Sequence, residues 1–290
     1  MKLVTYLAST GPRLGALVDG QVVDLPQAAQ GDLPAAMAEF LALGEEGLGA
    51  ARRAVESAPA SAVVGPVEGV KLLAPVPAPS KVIAVGLNYR DHCDEVGMAY
   101  PKSPVLFAKF PSAVIGPGDE IRWDPALTRQ VDYEAELAVV IGRRARRVSV
   151  EEAMAYVGGY TACNDVSARD LQFADQQWVR GKSLDTFCPL GPVLVTPDEI
   201  PDPHNLAIKC ELNGVVMQDS RTSELLFGVP ELVAFCSRAF TLLPGDVIVT
   251  GTPPGVGMAR SPQVFLKHGD TVTVEVEGIG RLTNRCVEEQ

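Results

Sequence analysis

The sequence predicts an α+β fold that is mainly β, and three observations predict it. One pattern of turn, Gly-Asp and strand recurs at 116–121, 244–249 and 268–274. Two-residue hairpin signals stand at Asp19-Gly20 and Asn213-Gly214. Helical spacing of apolar residues, by contrast, is confined to a few short segments.

Taken in order, residues 1–25 read as a β-meander, with strands over 3–8, 14–18 and 22–25. A helix is expected over 34–57, where Met37, Phe40 and Leu41 share a face and Gly44, Gly47 and Gly49 weaken the middle. Pro75, Pro77 and Pro79 form an extended, poorly hydrogen-bonding segment. The boundary is therefore placed there, giving a small α+β domain over 1–75 and a larger one over 76–290. In the larger unit a strand over 81–85 runs into a short helix through 90–95, and Gly278-Ile279-Gly280 marks a late turn. Further helices are expected over 150–156, 168–178 and 222–240, the last broken or kinked at Pro230.

Composition narrows the class. With 290 residues and 47% hydrophobic content, the chain can bury a large core. A formal net charge of -11 argues against nucleic acid or anionic membranes as partners. Arg143, Arg144, Arg146 and Arg147 are explained by a solvated turn. The six cysteines have no C-x-x-C spacing and lie largely in apolar runs, so they are expected to be reduced in a cytosolic protein. The apolar run at the start is too short for an export signal, and no later stretch is long enough to cross a membrane.

The chemistry centres on 132–142, which reads as one strand closed by Gly142. Glu134 and Glu136 leave the same face of it, roughly 7 Å apart, and that face continues as Ala138 and Val140. Two carboxylates against buried surface require a cation, a shared proton or solvent. An exposed polar strand mouth explains these residues alone equally well. Asp165, after a short apolar strand, offers a third carboxylate and favours the cation. An all-oxygen set suits Mg²⁺, Mn²⁺ or, less favoured, Ca²⁺, and argues against zinc.

Other candidates surround this set. His92 and Glu95, three apart, would share a helical face, where a carboxylate can hold one imidazole nitrogen and leave the other as a base. A solvated surface pair is the plainer reading of those two alone. Ser167-Ala168-Arg169-Asp170 is a capping-box variant that places Arg169 and Gln172 on one side of the next helix. Gly181-Lys182-Ser183 is no phosphate loop, because Gln176 stands where a glycine is needed. The 250–257 run fails the dinucleotide fingerprint, because Arg260 stands where its third glycine belongs. It remains a tight loop able to present backbone N–H groups and the Thr252 hydroxyl.

Taken together, five motifs resemble the fumarylacetoacetate hydrolase family across about residues 80–280. They are Gly86-Leu87-Asn88-Tyr89 with His92 and Glu95, Glu134-Ala135-Glu136-Leu137, 164–172, 181–187 and Thr250-Gly251-Thr252-Pro253. The resemblance implies a mixed, rolled β-sandwich catalytic domain, commonly a homodimer, with Mg²⁺ or Mn²⁺ held by Glu134, Glu136 and Asp165. It further implies that His92 and Glu95 form a water-activating pair on a helix that orders over ligand. Lys182 would be catalytic beside them, and Arg169, Gln172 and Thr252 would meet substrate. Asn88 departs from founding members that carry a further metal-binding Asp there, so three carboxylates with water are expected.

The implied substrate is a small 2-oxo acid whose carboxylate and keto oxygen would chelate the ion, with chemistry through an enolate. Hydrolytic carbon–carbon cleavage of an acylpyruvate or fumarylacetoacetate-like 1,3-dicarbonyl is the first expectation, since the His92 and Glu95 pair suits an activated water. The alternative is a 2-hydroxyhepta-2,4-diene-1,7-dioate isomerase or an oxaloacetate-type decarboxylase in aromatic catabolism. A non-catalytic metal-binding protein is a remote third, since none of the six metal and catalytic positions is lost.

Overall fold

A computed structural model describes residues 1–289. Its three Gly-Asp turns share one device. In each, the Asp carboxylate accepts the backbone N–H three residues earlier: Gly116 to Asp119 at 2.8 Å, Leu243 to Asp246 at 2.6 Å, and Lys267 to Asp270 at 2.8 Å. The preceding glycines have φ of +73°, +86° and +88°, a region that a Cβ disfavours. The strands Glu120–Trp123, Val247–Val249 and Thr271–Val276 follow directly. Asp19-Gly20 and Asn213-Gly214 close two-residue hairpins, pairing Val18 with Gln21 and Leu212 with Val215.

The strands form two main sheets. A 12-stranded mixed sheet runs from the N-terminal meander through Cys188–Val195, Val157–Asn164, Ala135–Ile141, Val247–Val249 and Val82–Gly86 to an edge at Val105–Lys109. A 5-stranded sheet contains Val215–Arg221, Ala207–Leu212, Thr271–Val276, Gly280–Glu288 and Glu120–Trp123. Few helices accompany them, so the expected mainly β, α+β class holds.

The strand Ala135–Ile141 is buried on both faces, and its side chains alternate between two cores. Leu137, Val139 and Ile141 join Ile208 and Val274 of the smaller sheet. Ala138 and Val140 join Phe40 and Leu41 of the N-terminal helices. Each fully buried Val, Leu or Ile contributes about 1.5–3 kcal/mol from apolar burial, so the strand is fixed before its polar end is considered. The N-terminal meander continues this sheet, because Lys2 pairs with Val195 and Leu3 with Leu194. The division into 1–75 and 76–290 stays a proposal, drawn at the proline-rich segment.

Several elements differ from expectation. The strand expected over 132–142 is interrupted: Val131–Asp132 pairs with Ser167–Ala168, and Ala135–Ile141 pairs with Val157–Asn164. Tyr133 and Glu134 lie in the break. The helix expected over 34–57 is two, Met37–Ala42 and Gly44–Glu56, divided at Gly44 with φ +58°, while Gly47 and Gly49 lie inside the second helix without breaking it. Over 150–156 there is only the 3-10 turn Ala153–Tyr156. The helix expected over 168–178 stops where Asp175 turns extended, and Val179–Lys182 starts anew. Pro230 opens the helix Val229–Ala239 instead of kinking it, because a first-turn residue needs no N–H donor. Ser167 does not cap a helix; its hydroxyl donates to Asp165 O at 2.9 Å.

Candidate active site

The break in the strand builds the acidic cluster. Glu134 N–H donates to Asn164 Oδ1 at 3.0 Å, and Asp165 N–H donates to Glu134 O at 2.9 Å. These two bonds tie the residue before one strand to the residue after its neighbour. Glu136 lies on the adjoining strand, so all three carboxylates gather at one sheet end. One oxygen of each lies within 4.8 Å of the others, and all three residues are buried.

Three buried cations accompany them. Lys182 Nζ donates to Glu134 Oε2 at 2.6 Å and to Asp165 Oδ2 at 2.9 Å. Lys109 Nζ lies 2.5 Å from Asp165 Oδ1 and also donates to the carbonyls of Val166 and Lys182. Arg169 donates through Nε to Asp132 Oδ2 at 2.9 Å and through Nη1 to Gln172 Oε1 at 3.0 Å. Its Nη2 stands 2.7 Å from Glu134 Oε1, an ion-pair distance off the line of a hydrogen bond.

This distribution polarises the carboxyls. Burial alone would raise Glu134, but Lys182 and Arg169 overcome it and hold the group at about 2. Glu136 goes the other way: burial, then Asp165 and Glu134, push it well above the carboxylate range. It accepts Gly251 N–H at 2.5 Å, and no cation pairs with it among the described residues. For Lys182, burial opposes the charge, but Asp165 and Glu134 outweigh it and raise the ammonium, which stays protonated.

The helix Arg90–Val96 brings the second group of residues. His92 Nδ1 lies 3.0 Å from Glu95 Oε2, while Glu95 Oε1 accepts Gly255 N–H at 2.7 Å. A carboxylate can only accept here, so it holds Nδ1–H and leaves Nε2 as the basic nitrogen. The surface-pair reading fails for His92, which is only 7% exposed. Thr252 is largely structural: its hydroxyl donates to Ala135 O at 3.1 Å and accepts from Gln218 Nε2 at 2.8 Å. Asn88 is likewise engaged by backbone, donating to Thr250 O and Phe227 O and accepting Phe227 N–H.

A cleft of about 260 Å³ joins these groups. His92, Glu134, Glu136, Asp165, Arg169, Gln172, Lys182 and Thr252 all line it, and Glu95 stands behind His92. Its apolar walls include Leu87, Met98, Phe107 and Trp178, with Phe107 and Trp178 edge to face at 5.4 Å. Sequence reasoning missed Lys109 and Asp132. Lys109 had a signal, a lone charge ending the apolar strand Val105–Lys109. In the sequence Asp132 reads only as the start of a strand; buried, it anchors Arg169 and also accepts Gly257 and Met258 N–H.

A divalent cation fits this donor set. Three convergent buried carboxylates are hard oxygen ligands, and Glu136 lacks a cationic partner among the described residues. Arg169 lines the cleft and its Nη2, although 2.7 Å from Glu134 Oε1, makes no aligned hydrogen bond among the described residues, which suits it to a carboxylate beside such an ion. Glu134, Glu136 and Asp165 would hold it.

Comparison with known proteins gives a family. Residues 81–287 match the family model described as fumarylacetoacetate (FAA) hydrolase C-terminal. Oxaloacetate tautomerase FAHD2A, mitochondrial, from Bos taurus is 48% identical over 293 residues, covering 99% of this chain and 92% of the relative. The structure of 5-carboxymethyl-2-hydroxymuconate delta-isomerase from Mycobacterium smegmatis superposes with a TM-score of 0.77 at 39% identity, covering 100% of both chains. Maleylpyruvate hydrolase from Sphingobium sp. SYK-6, in complex with manganese (II) ion and pyruvate, gives a TM-score of 0.82 at 30% identity, again over 100% of both chains.

Proposed function

Because the chain belongs to the fumarylacetoacetate hydrolase family, we propose that it interconverts the keto and enol forms of a small 2-oxo acid of the oxaloacetate type. The observation that carries this reading is His92, backed by Glu95, in the same cleft as the carboxylate cluster and Lys182. A base and a concentration of positive charge are what proton removal next to a keto group requires. The strong likeness to an oxaloacetate tautomerase supports it over the hydrolysis expected first.

Bound by Glu134, Glu136 and Asp165, Mg²⁺ or Mn²⁺ would supply Lewis-acid polarisation of the keto oxygen. The rest falls to this chain's residues. His92 Nε2 takes a proton from the carbon next to the keto group, and Glu95 stabilises the imidazolium. Lys182, kept charged by its neighbours, donates a hydrogen bond to the oxygen on which negative charge develops. Gln172 and Arg169 orient the substrate carboxylate, while Thr252 fixes the loop above it. The proton taken up by His92 Nε2 is then delivered to that oxygen, so one C–H bond breaks, one O–H bond forms and no co-reactant is needed. The apolar walls exclude water from the reacting carbon.

A second reading is hydrolytic cleavage of an acylpyruvate, favoured by the likeness to a maleylpyruvate hydrolase. Incubation with acetylpyruvate and Mn²⁺ separates the two. Pyruvate and acetate in equal amounts would establish hydrolysis, whereas unchanged acetylpyruvate with accelerated oxaloacetate ketonisation supports the tautomerase. We further propose a homodimer in a reducing compartment, the latter because all six cysteines are free and buried. No described helix is long and apolar enough to cross a membrane.

A further inference from the structure

Arg260 stands where a third glycine would complete a dinucleotide fingerprint. In the fold it bridges two carbonyls: Nε donates to Gly255 O at 3.2 Å and Nη2 to Met217 O at 2.5 Å. The first holds the 250–257 loop, and the second holds the strand Val215–Arg221. Tyr133 Oη donates to the same Gly255 carbonyl at 3.2 Å. Gly255 itself has φ +103°, and a Cβ there would meet Met217 O at 2.1 Å, so backbone is pressed against backbone at the clamp. The other side of residue 255 faces the site: its N–H donates to Glu95 Oε1 at 2.7 Å.

An unbroken path therefore runs from the Arg260 guanidinium through Gly255 and Glu95 to His92 Nδ1. A carboxylate fixed by one oxygen presents the other in a defined direction, and that direction selects which imidazole nitrogen carries the proton. The N-terminal half of the helix is tied elsewhere, by Arg90 to Leu225 O at 3.1 Å and by Asp91 to Ser220 at 2.6 Å. The Gly255 contact thus sets the orientation of the Glu95 end.

We propose that Arg260 is a positioning residue that keeps His92 in its Nδ1–H form: by fixing the carbonyl on one side of Gly255 Cα it holds the N–H on the other side against Glu95. The effect on turnover rests on the reaction proposed above; the effect on the imidazole does not. The chain has only three histidines, so ¹⁵N-labelled histidine resolves His92 directly. In Arg260→Met the His92 resonances move toward a mixture of tautomers, as they do in Glu95→Gln, while Arg260→Lys moves them less. Turnover falls about a hundredfold with KM within about twofold, because misplacement affects the transition state more than binding. The double variant Arg260→Met/Glu95→Gln loses no more than Glu95→Gln alone, since both act along one path.

Unchanged His92 resonances in Arg260→Met overturn the proposal, as do losses that multiply in the double variant. If Arg260→Met does not fold, the same resonances are read in Arg260→Lys, where no shift overturns it equally. Full turnover in His92→Ala would instead overturn the proposed reaction, with the resonances still deciding the role of Arg260.

Discussion

Lys182 Nζ lies 2.9 Å from Asp165 Oδ2, and the same ammonium bonds Glu134 Oε2 at 2.6 Å. One buried cation thus joins Glu134, in the break of the central strand, to Asp165, just past the end of the neighbouring strand. With Lys109 on the other oxygen of Asp165, it lets an acidic cluster persist at the end of a packed sheet.

Removing that cation should leave Asp165 with Lys109 alone and Glu134 with Arg169 alone in a buried acidic cluster. Lys182→Met is expected to lower stability without metal by about 3–5 kcal/mol. Saturating Mn²⁺ should restore much of it, because binding only to the folded state is stabilising. Thermal melts with Mn²⁺ and with a chelator check this, and equal destabilisation under both conditions would count against a metal at these carboxylates.

Glu136 tests the same cluster from the opposite side. Burial, Asp165 and Glu134 disfavour its charge, so Glu136→Gln resembles the metal-free state of the side chain. Metal-free stability should change by less than about 1 kcal/mol, while the melting shift produced by Mn²⁺ should vanish. A retained shift would remove Glu136 from the ligand set.

The cleft wall makes a third prediction. A Cβ on Gly86 would meet the Trp178 ring at 2.5 Å, so Gly86→Ala must displace the indole that packs against Phe107. KM for the 2-oxo acid should rise about tenfold with kcat less affected, as expected for lost uniform binding. Steady-state kinetics with unchanged KM would show that Trp178 does not shape the occupied cleft.

A pH dependence follows at the N-terminal meander. Buried Asp24 accepts Arg13 Nε at 2.5 Å, Tyr6 Oη at 2.5 Å and Gln27 N–H at 2.6 Å. Burial would raise its carboxyl, but the bonds from Arg13 and Tyr6 prevail and lower it below the ordinary 3.8. Its contribution is therefore complete above pH 3.8 and is lost as pH falls from there through the lower folded value. Asp24→Asn should cost about 3 kcal/mol at neutral pH and flatten that acid limb. Urea midpoints against pH for both proteins decide it.

The carboxylate cluster was legible because strand alternation carries its chemistry in a local pattern: Glu134 and Glu136 are two apart, and Asp165 follows an apolar strand. The Gly-Asp turns and both hairpins were legible for the same reason, since a few adjacent residues determine them. Lys109 and Asp132 were not, because their partners are distant in the chain: Lys109 meets Asp165, and Asp132 meets Gly257 and Met258. The union of the meander with the main sheet depends on Lys2 facing Val195, a pairing no local pattern announces. Helix ends were less legible: Asp175 turns extended after Ala174, and its carboxylate pairs with Arg180 five residues on.

The most direct measurement follows the enol absorbance of freshly dissolved oxaloacetate with Mn²⁺-loaded protein, comparing wild type with His92→Ala. Ketonisation faster than the buffer rate, without pyruvate appearing, and reduced about 10²–10⁴-fold in the variant, is the predicted result for a positioned general base. Ketonisation at the buffer rate with metal bound, or an equal rate in His92→Ala, would contradict proton transfer by His92.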